Sequence, residues 1–356
     1  MTIFGESHGP AVGAVLDGLA AGLPVDEAAV AAAMDRRRAR GDGLSTARTE
    51  ADEVEFLSGV YRGKTTGTAL TLMIRNQNTR SGDYAKTQDL LRPGHADYTA
   101  HAKYEGYQDA RGGGHFSGRI TAASVAAGAV CEGVLRNLGV RVYTHIAACA
   151  GIQDAPLSSA AGLLLPEPEP GHFALLDPEK EAAMQQAIRD AGAQGDSVGG
   201  ILETAVLGLP AGVGEPFFDS VESVLSHLLF SIPAVKGVEF GLGFGFAGLR
   251  GSQANDPFRM EAGRVVTATN HNGGVNGGIA NGMPLVFRTA VKPTPSIYKP
   301  QQTVDYVAKR DAQLQIQGRH DPCIVHRAAV VQTCAAALGL LDLLTTCEGT
   351  RSQKED

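Results

Sequence analysis

The sequence predicts a single-domain fold of the α+β class with two similar halves. Short apolar runs of strand length alternate with longer segments of helical pattern. Two of these segments, 111–138 and 327–344, are long, rich in alanine and entered from a glycine-rich or charged turn. A short repeat also relates the halves, because GLAAGL at 18–23 is echoed by GLPAGV at 208–213. Each copy follows a predicted strand and precedes a predicted helix, and a chance similarity is the alternative.

The length of the chain is consistent with one large domain or with two ordinary ones. The 356 residues are 43% hydrophobic and 19% charged, which is enough for a sizeable core and argues against disorder. We expect the domain to cover 1–347, with halves of about 1–150 and 195–347. Residues 348–356 are expected to form a frayed tail.

Composition also argues against several classes of protein. The five cysteines are odd in number and form no Cys-x-x-Cys pair, which argues against a disulfide framework and a metal site. A net charge of −7 argues against a nucleic-acid partner. We find no apolar run of membrane-spanning length and no signal peptide. The sequence therefore predicts a soluble, cytoplasmic protein without a membrane partner.

The elements of the first half follow from periodicity and turn residues. A helix is predicted over 24–38, with Asp26 as its N-cap. The strands are predicted at 11–16, 53–61, 68–75 and 141–146. The loops are predicted at 40–47, where the chain should be mobile and on the surface, and at 76–84 and 92–98.

The second half repeats this alternation after an irregular excursion at 151–172. Asp177 and Pro178 open a helix that Gly192 closes, and a further helix covers 218–230. The strands are predicted at 201–207, 234–240 and 283–291. The connections are predicted as a long Asn- and Gly-rich loop at 263–282 and a stiff turn at 292–296.

The glycine-rich loop at 111–119 is one candidate for ligand binding. Three successive glycines can take positive φ and leave backbone N–H groups bare, and a helix follows directly. A helix N-terminus offers unpaired donors and partial positive charge, which suits an anion. The alternative is a glycine-rich turn before a core helix.

Charged and titratable residues concentrate in four short loops, at 5–9, 92–98, 111–119 and 319–322. His8 and His95 are flanked by glycine, which is less typical of packed core histidines; a turn histidine bonded to backbone is the alternative. Asp321 is available for proton transfer, or is a helix N-cap with Pro322 at the first helical position.

Arginines provide the positive charge that these loops would need for an anionic ligand. Five of them lie between positions 36 and 48 with one aspartate, although a solvated helix end is the alternative there. Forked donors that could bind carboxylate or phosphate are offered by Arg48, Arg92, Arg119 and Arg319, for which surface ion pairs are the alternative. These residues predict an enzyme of small, multiply anionic molecules.

A Gly-x-Gly-x-x-Gly motif at 243–248 points to a different enzyme, an NAD(P)-dependent oxidoreductase. The motif follows a predicted strand, as a dinucleotide-binding fold requires. No helix is predicted after it, since 249–257 contains Arg, Gly, Ser, Asn and Pro. The N-terminus that would bind a pyrophosphate is therefore missing.

Taken together, the loop motifs resemble those of chorismate synthases. The similarity runs from Ile3 to about Leu344. It rests on GESHG at 5–9, RPGHADY at 92–98, GGG at 112–114, GDSVGG at 195–200, VKGVE at 235–239 and RHDPC at 319–323.

The resemblance implies a carbon-oxygen lyase of the shikimate pathway that acts on a phosphate ester. Members remove phosphate and a ring proton from 5-enolpyruvylshikimate 3-phosphate to give chorismate, and they require reduced FMN without net redox change. It also implies a β-α-β sandwich in a homotetramer. Two sources of reduced flavin stay open, NADPH used by the chain itself and a separate flavin reductase.

The resemblance also implies roles for individual residues. His8, His95 and Asp321 match the family's proton-transfer residues. Arg48, Arg92 and Arg119 match arginines that face substrate, and the counterpart of Arg48 touches NADPH in some members. The positions that match FMN contacts are His115, Phe116, Ser117, Pro233, Ala234, Gly277, Lys292, Pro293, Thr294, Pro295, Ser296 and Arg319.

Three departures from the family pattern affect details. Gly43 stands where many members have a second loop arginine, and Arg40 is expected to substitute for it. His115 replaces an arginine common at that FMN position. The sequence starts just before the first motif, so a strand edge and part of the tetramer contact are expected to differ.

Overall fold

The computed structural model describes residues 1–79, 89–157, 173–316, 318 and 320–352. Its α-helices are α1 (Glu27–Arg37), α2 (Asp97–Tyr104), α3 (Thr121–Asn137), α4 (Glu181–Ala193), α5 (Val221–Phe230), α6 (Gly251–Ala254) and α7 (Val325–Arg351). Its strands are β1 (Thr2–Gly5), β2 (Ala11–Leu16), β3 (Val54–Ser58), β4 (Val60–Tyr61), β5 (Lys64–Thr65), β6 (Leu70–Arg75), β7 (Arg141–Cys149), β8 (Ile152–Gln153), β9 (Gly200–Leu207), β10 (Val235–Phe240), β11 (Phe258–Glu261), β12 (Arg264–Thr267), β13 (Val275–Asn276), β14 (Ile279–Ala280), β15 (Leu285–Val291), β16 (Gln301–Asp305) and β17 (Arg310–Leu314).

Two antiparallel sheets have matching strand orders. The first is β1-β2-β6-β3 and the second is β10-β15-β9-β7-β8. The four strands of the first sheet, taken in the order β1-β2-β6-β3, correspond to β7-β9-β15-β10 of the second. Neighbouring strands are antiparallel in both sheets. The two copies of the sequence repeat lie at corresponding places, after β2 before α1 and after β9 before α5.

A layer of helices fills the space between the sheets. α3 packs on β2 and β6 of the first sheet, and α7 packs on β7 and β9 of the second. The two helices also pack closely on each other, since a Cβ on Gly128 of α3 would lie 2.4 Å from the carbonyl oxygen of Cys334 on α7. Alternate β6 residues Leu70, Leu72 and Ile74 face this interior and are buried. The predicted α+β fold, a β-α-β sandwich, is confirmed.

Several boundaries differ from the prediction. β7 pairs with β9 in the second sheet, so residues 141–149 do not belong with the first half. α7 continues to Arg351, which places regular structure inside the segment predicted to be frayed. Residues 263–282 are not a single loop, because they contain β12, β13 and β14. Much of the predicted irregular excursion at 151–172 lies outside the described residues.

Two helical segments, Gly118–Asn137 and Val325–Gly349, are long and apolar enough to cross a membrane by length and composition. The expectation that no apolar segment reaches that length is therefore wrong. In both segments, 78% of the most apolar stretch is buried inside the fold. Such burial is typical of core helices in a soluble fold, where other helices and sheets cover the apolar sides.

Candidate active site

A cavity of about 530 Å³ opens where loops from both halves meet above the helical layer. This volume is within the usual range for small-molecule sites. Most of the residues predicted to form a site line it. They are Arg48, Arg92, His95, His115, Phe116, Ser117, Arg119, Pro233, Ala234, Lys292, Thr294, Pro295, Ser296 and Asp321.

The other predicted residues are placed differently. His8 lies just behind the wall, with its ring against Gly112. Arg40 does not line the cavity and pairs with Asp35 at 2.5 Å on the surface. Gly277 is exposed in the turn between β13 and β14, and Pro293 is exposed and does not line the cavity. Arg319 lies outside the described residues.

The glycine-rich loop brings backbone close to the two histidines. Gly112, Gly113 and Gly114 have φ of 61°, 84° and 53°, a region that side chains rarely adopt. A Cβ on Gly112 would lie 2.5 Å from Nε2 of His8, and one on Gly113 would lie 3.3 Å from Nε2 of His95. The loop therefore requires glycine for both its conformation and this contact.

Asp52 holds two buried arginines at the floor of the cavity. Its carboxylate accepts hydrogen bonds from Arg37 at 2.6 Å and from Arg119. Burial alone would raise the pKa of Asp52, but the two guanidinium groups hold it below its usual value. Burial lowers the pKa of Arg37 to about 10, against the opposing effect of Asp52. Asp52 thus fixes Arg119, which also donates to Asn76 Oδ1 at 2.8 Å.

Arg48 is held by a separate set of contacts. Its guanidinium pairs with Glu50 at 2.8 Å and donates to the hydroxyl and carbonyl oxygens of Ser7 at 3.0 and 3.1 Å. Ser7 is buried, and its own N–H donates to the carbonyl of Gly114. This arrangement ties the 40–48 segment to the glycine-rich loop.

Asp97 orients Arg92 and His95. Its Oδ1 is 2.7 Å from both Nη2 of Arg92 and Nδ1 of His95. The predicted 92–98 loop is wrong in its last two residues, because Asp97 and Tyr98 form the start of α2. Burial alone would raise the pKa of Asp97, but hydrogen bonds from His95 and Arg92 hold it well below its usual value.

The lowered pKa of Asp97 predicts a loss of stability in acid. The folded state binds fewer protons at this carboxyl than the unfolded state, so its contribution is present above about pH 4 and is lost as pH falls through the folded pKa. We expect Asp97→Asn to remove about 1–2 kcal/mol of the difference in unfolding free energy between pH 7 and pH 3. Urea unfolding across this range measures the difference, with the exposed Asp190→Asn as the control. Parallel curves for wild type and Asp97→Asn would contradict the assignment.

Asp321 is held between a loop and a helix. Its Oδ1 accepts from the backbone N–H of Thr46 at 2.9 Å and from Nη1 of Arg327 at 2.6 Å. It is not a helix N-cap, since α7 begins four residues later at Val325. The contact also corrects the prediction of a surface loop at 40–47, because Leu44, Ser45 and Thr46 are buried there.

The segment at 292–296 offers polar groups to the opposite wall. Nζ of Lys292 donates to the carbonyl of Gly94 at 2.5 Å, and the Lys292 N–H donates to the carbonyl of Ala234 at 2.9 Å. Oγ1 of Thr294 is buried and has no hydrogen-bond partner among the described residues. A buried hydroxyl without a partner at a cavity wall is suited to a bound ligand.

The cavity is positive although the chain is acidic. Seven arginines and lysines line it against three aspartates and glutamates, an excess of four positive charges. The whole chain carries −7. Such a local field favours a small ligand with several negative charges.

Sequence reasoning missed the residues that hold this site together, namely Arg37, Glu50, Asp52 and Arg327. Arg37 was interpreted as part of a helix end, and Arg327 as the first residue of the second alanine-rich helix. Their partners are 15 and 6 residues away, in other elements of the fold. The only signal that the sequence offers for Asp52 is an acidic residue directly before a predicted strand, which does not identify its partners.

The Gly-x-Gly-x-x-Gly motif at 243–248 does not form a dinucleotide site. It folds into short 3₁₀ turns, followed by two extended residues and by α6, which has four residues. The Glu239 carboxylate lies against Gly243 and accepts the N–H of Phe244 at 3.1 Å. A negative side chain occupies the turn where a pyrophosphate would bind, so the oxidoreductase alternative is not supported.

Comparison with known proteins identifies the family of the chain. The family model described as chorismate synthase matches residues 1–345. A chorismate synthase of Korarchaeum cryptofilum is 44% identical over 345 residues, which cover 95% of this chain and 93% of that protein. One from Methanosarcina acetivorans is 47% identical over 339 residues, covering 95% and 92%. A crystal structure of a chorismate synthase is 29% identical with a TM-score of 0.74, covering 97% of this chain and 91% of that one. The chain therefore belongs to the chorismate synthase family.

Proposed function

We propose that this lyase removes phosphate and a ring proton from 5-enolpyruvylshikimate 3-phosphate to give chorismate, with reduced FMN bound. The observation that carries the proposal is the excess of four positive charges around the cavity that also contains His95 and Asp321. The substrate carries one phosphate and two carboxylates, which forked arginines recognise well. Arg48, Arg92 and Arg119 are the residues we assign to these groups.

The opposite wall suits the cofactor. Lys292, Thr294 and Ser296 offer one cation and two hydroxyls to a phosphate, and the unpartnered Oγ1 of Thr294 supports a polar ligand there. His115, Phe116, Ser117, Pro233 and Ala234 would contact the remainder of FMN. Reduced FMN, when bound, supplies an electron-rich ring that stabilises the loss of phosphate from the substrate.

The proton-transfer residues are distinguished by their partners. Nδ1 of His95 faces Asp97, so Nε2 is the nitrogen beside the glycine-rich loop that can donate to the leaving phosphate. His8 is assigned the second acid role from behind Gly112. Asp321 is assigned to the proton that leaves the ring.

Assembly, location and the source of electrons complete the proposal. We place the protein in the cytoplasm, which its five buried, unpaired cysteines support. We propose a homotetramer, supported by exposed apolar side chains on the β11–β12 hairpin, Phe258, Met260 and Val265. Reduced FMN comes either from NADPH oxidised at this site, close to Arg48, or from a separate flavin reductase.

Phosphate release from 5-enolpyruvylshikimate 3-phosphate tests the proposal. Under anaerobic conditions with chemically reduced FMN, we expect turnover, and none with oxidised FMN. Supplying chemically reduced flavin separates the lyase reaction from the source of electrons. Thermal melting should show stabilisation by FMN and not by NAD. A folded protein that binds FMN but releases no phosphate would contradict the proposal.

A further inference from the structure

Arg327 connects three elements at the edge of the cavity. It lies in the first turn of α7, and its side chain is 15% exposed. Nη1 donates to Oδ1 of Asp321 at 2.6 Å, and Nε donates to the backbone carbonyl of Arg37 at 2.8 Å. Arg37 is the last residue of α1, where carbonyls lack helical partners and attract cations. The guanidinium therefore bridges the C-terminus of α1 and the carboxylate of Asp321.

The two oxygens of Asp321 have different environments. Oδ1 accepts from both Arg327 and the N–H of Thr46. Oδ2 has no hydrogen-bond partner in the part of the chain that the structure describes, and Asp321 lines the cavity. A carboxylate held through one oxygen presents the other in a fixed orientation. Oδ2 is thus the oxygen available to a proton from the ligand side.

We propose that Arg327 is a positioning residue that holds Asp321 so that its Oδ2 meets the proton. By fixing Oδ1 of Asp321, Arg327 also maintains the hydrogen bond between Asp321 and Thr46 of the 40–48 loop. This inference rests on the proposed function, in which Asp321 takes part in proton transfer. Arg327 itself acts on Asp321 and on α1, not on the reacting atoms.

The bridge requires arginine rather than lysine. A guanidinium has several N–H donors in a rigid plane, so it can bind Asp321 and the Arg37 carbonyl at once. A lysine ammonium at the end of a flexible chain keeps the charge but not this paired geometry. Arg327→Lys therefore separates the contribution of charge from that of orientation.

The bridge also determines how the 40–48 loop is held. The N–H of Thr46 donates to the oxygen that Arg327 fixes, and Thr46 is 275 residues from Asp321 in sequence. If Asp321 rotates, the Thr46 N–H loses a well-placed acceptor. Amide exchange at this position therefore reports the orientation of Asp321 without any need for turnover.

Kinetics of Arg327 variants test the inference. We expect Arg327→Gln to lower kcat about a hundredfold, because small misplacements of a catalytic group cost rates of that order. KM for 5-enolpyruvylshikimate 3-phosphate should change less than about threefold, and Arg327→Lys should recover only part of kcat. In an Asp321→Asn background, Arg327→Gln should have almost no further effect on kcat. Additive losses in the double variant, or an unchanged kcat in Arg327→Gln, would overturn the inference.

Hydrogen exchange gives the second readout. In Arg327→Gln, the peptide containing Thr46 should exchange about tenfold faster than in wild type, whereas Arg189→Gln on the exposed side of α4 should leave it unchanged. Unchanged exchange in Arg327→Gln would count against the bridge. If wild type shows no turnover but its exchange responds to Arg327→Gln, the proposed function fails while the positioning of Asp321 stands.

Discussion

Asp321→Asn should abolish most phosphate release from 5-enolpyruvylshikimate 3-phosphate. The asparagine keeps the size of the side chain and an Oδ1 acceptor for Thr46 and Arg327, but it cannot take up a proton at the second position. Positioned acid–base groups contribute about 10²–10⁴-fold to rate, and we expect a loss of kcat in that range. Single-turnover measurements with chemically reduced FMN give the rate of the chemical step directly.

FMN affinity and melting temperature are the controls that show whether Asp321→Asn leaves the site intact. Affinity for FMN and the melting temperature of Asp321→Asn should stay close to those of wild type, because the change is isosteric and the side chain is partly exposed. A kcat within about tenfold of wild type would show that Asp321 does not transfer the proton. A large loss of FMN affinity would assign Asp321 to cofactor binding instead.

Asp52→Asn should destabilise the protein by about 3–5 kcal/mol, because it leaves two buried guanidinium groups without their carboxylate. The side chains of Asp52, Arg37 and Arg119 are 0%, 4% and 4% exposed. Asp52 has a φ of 55°, which asparagine also tolerates, so the expected effect is electrostatic rather than conformational. Urea unfolding at pH 7 measures it.

Asp35→Asn is the matched control for Asp52→Asn. Asp35 also pairs with two arginines, Arg38 and Arg40, but its side chain is 35% exposed. Exposed pairs contribute little, and the loss should stay below about 1 kcal/mol. Similar losses for the two variants would contradict the role of burial.

The periodicity of apolar residues predicted the long helices and strands of the fold, but it did not predict several of the short ones. β2, β9, β15 and α3 combine apolar runs with clear turn residues at their ends, and they lie where predicted. The β16–β17 hairpin was missed because its strands are largely polar and only partly buried. α2 was missed because its start is the motif at 92–98, which suggested a loop. Such elements form mainly through contacts with the rest of the chain.

The sequence predicted the residues of the candidate site better than the contacts that orient them. Loop motifs indicated His95, Arg119 and Asp321, since glycine-flanked and charged turns are visible in a sequence. The ion pairs that orient these residues are not visible, because Asp52 is 67 residues from Arg119 and no periodicity links them. Arg40 was expected to replace the second loop arginine that many family members have at the position of Gly43, whereas nearby Asp35 holds it on the surface.

The residues that line the cavity lie far apart in the sequence, and this affects the order in which the structure can form. The cavity wall joins Ser7 and Arg48 near one end of the chain to Asp321 and Arg327 near the other. Contacts so distant in sequence require the closure of long loops, which is entropically costly and slow to form. Each sheet draws its strands from one part of the chain, residues 2–75 for the first and 141–291 for the second, but the cavity exists only after α3 and α7 have docked. Ligand binding is therefore a property of the completed fold, and FMN would stabilise that state alone.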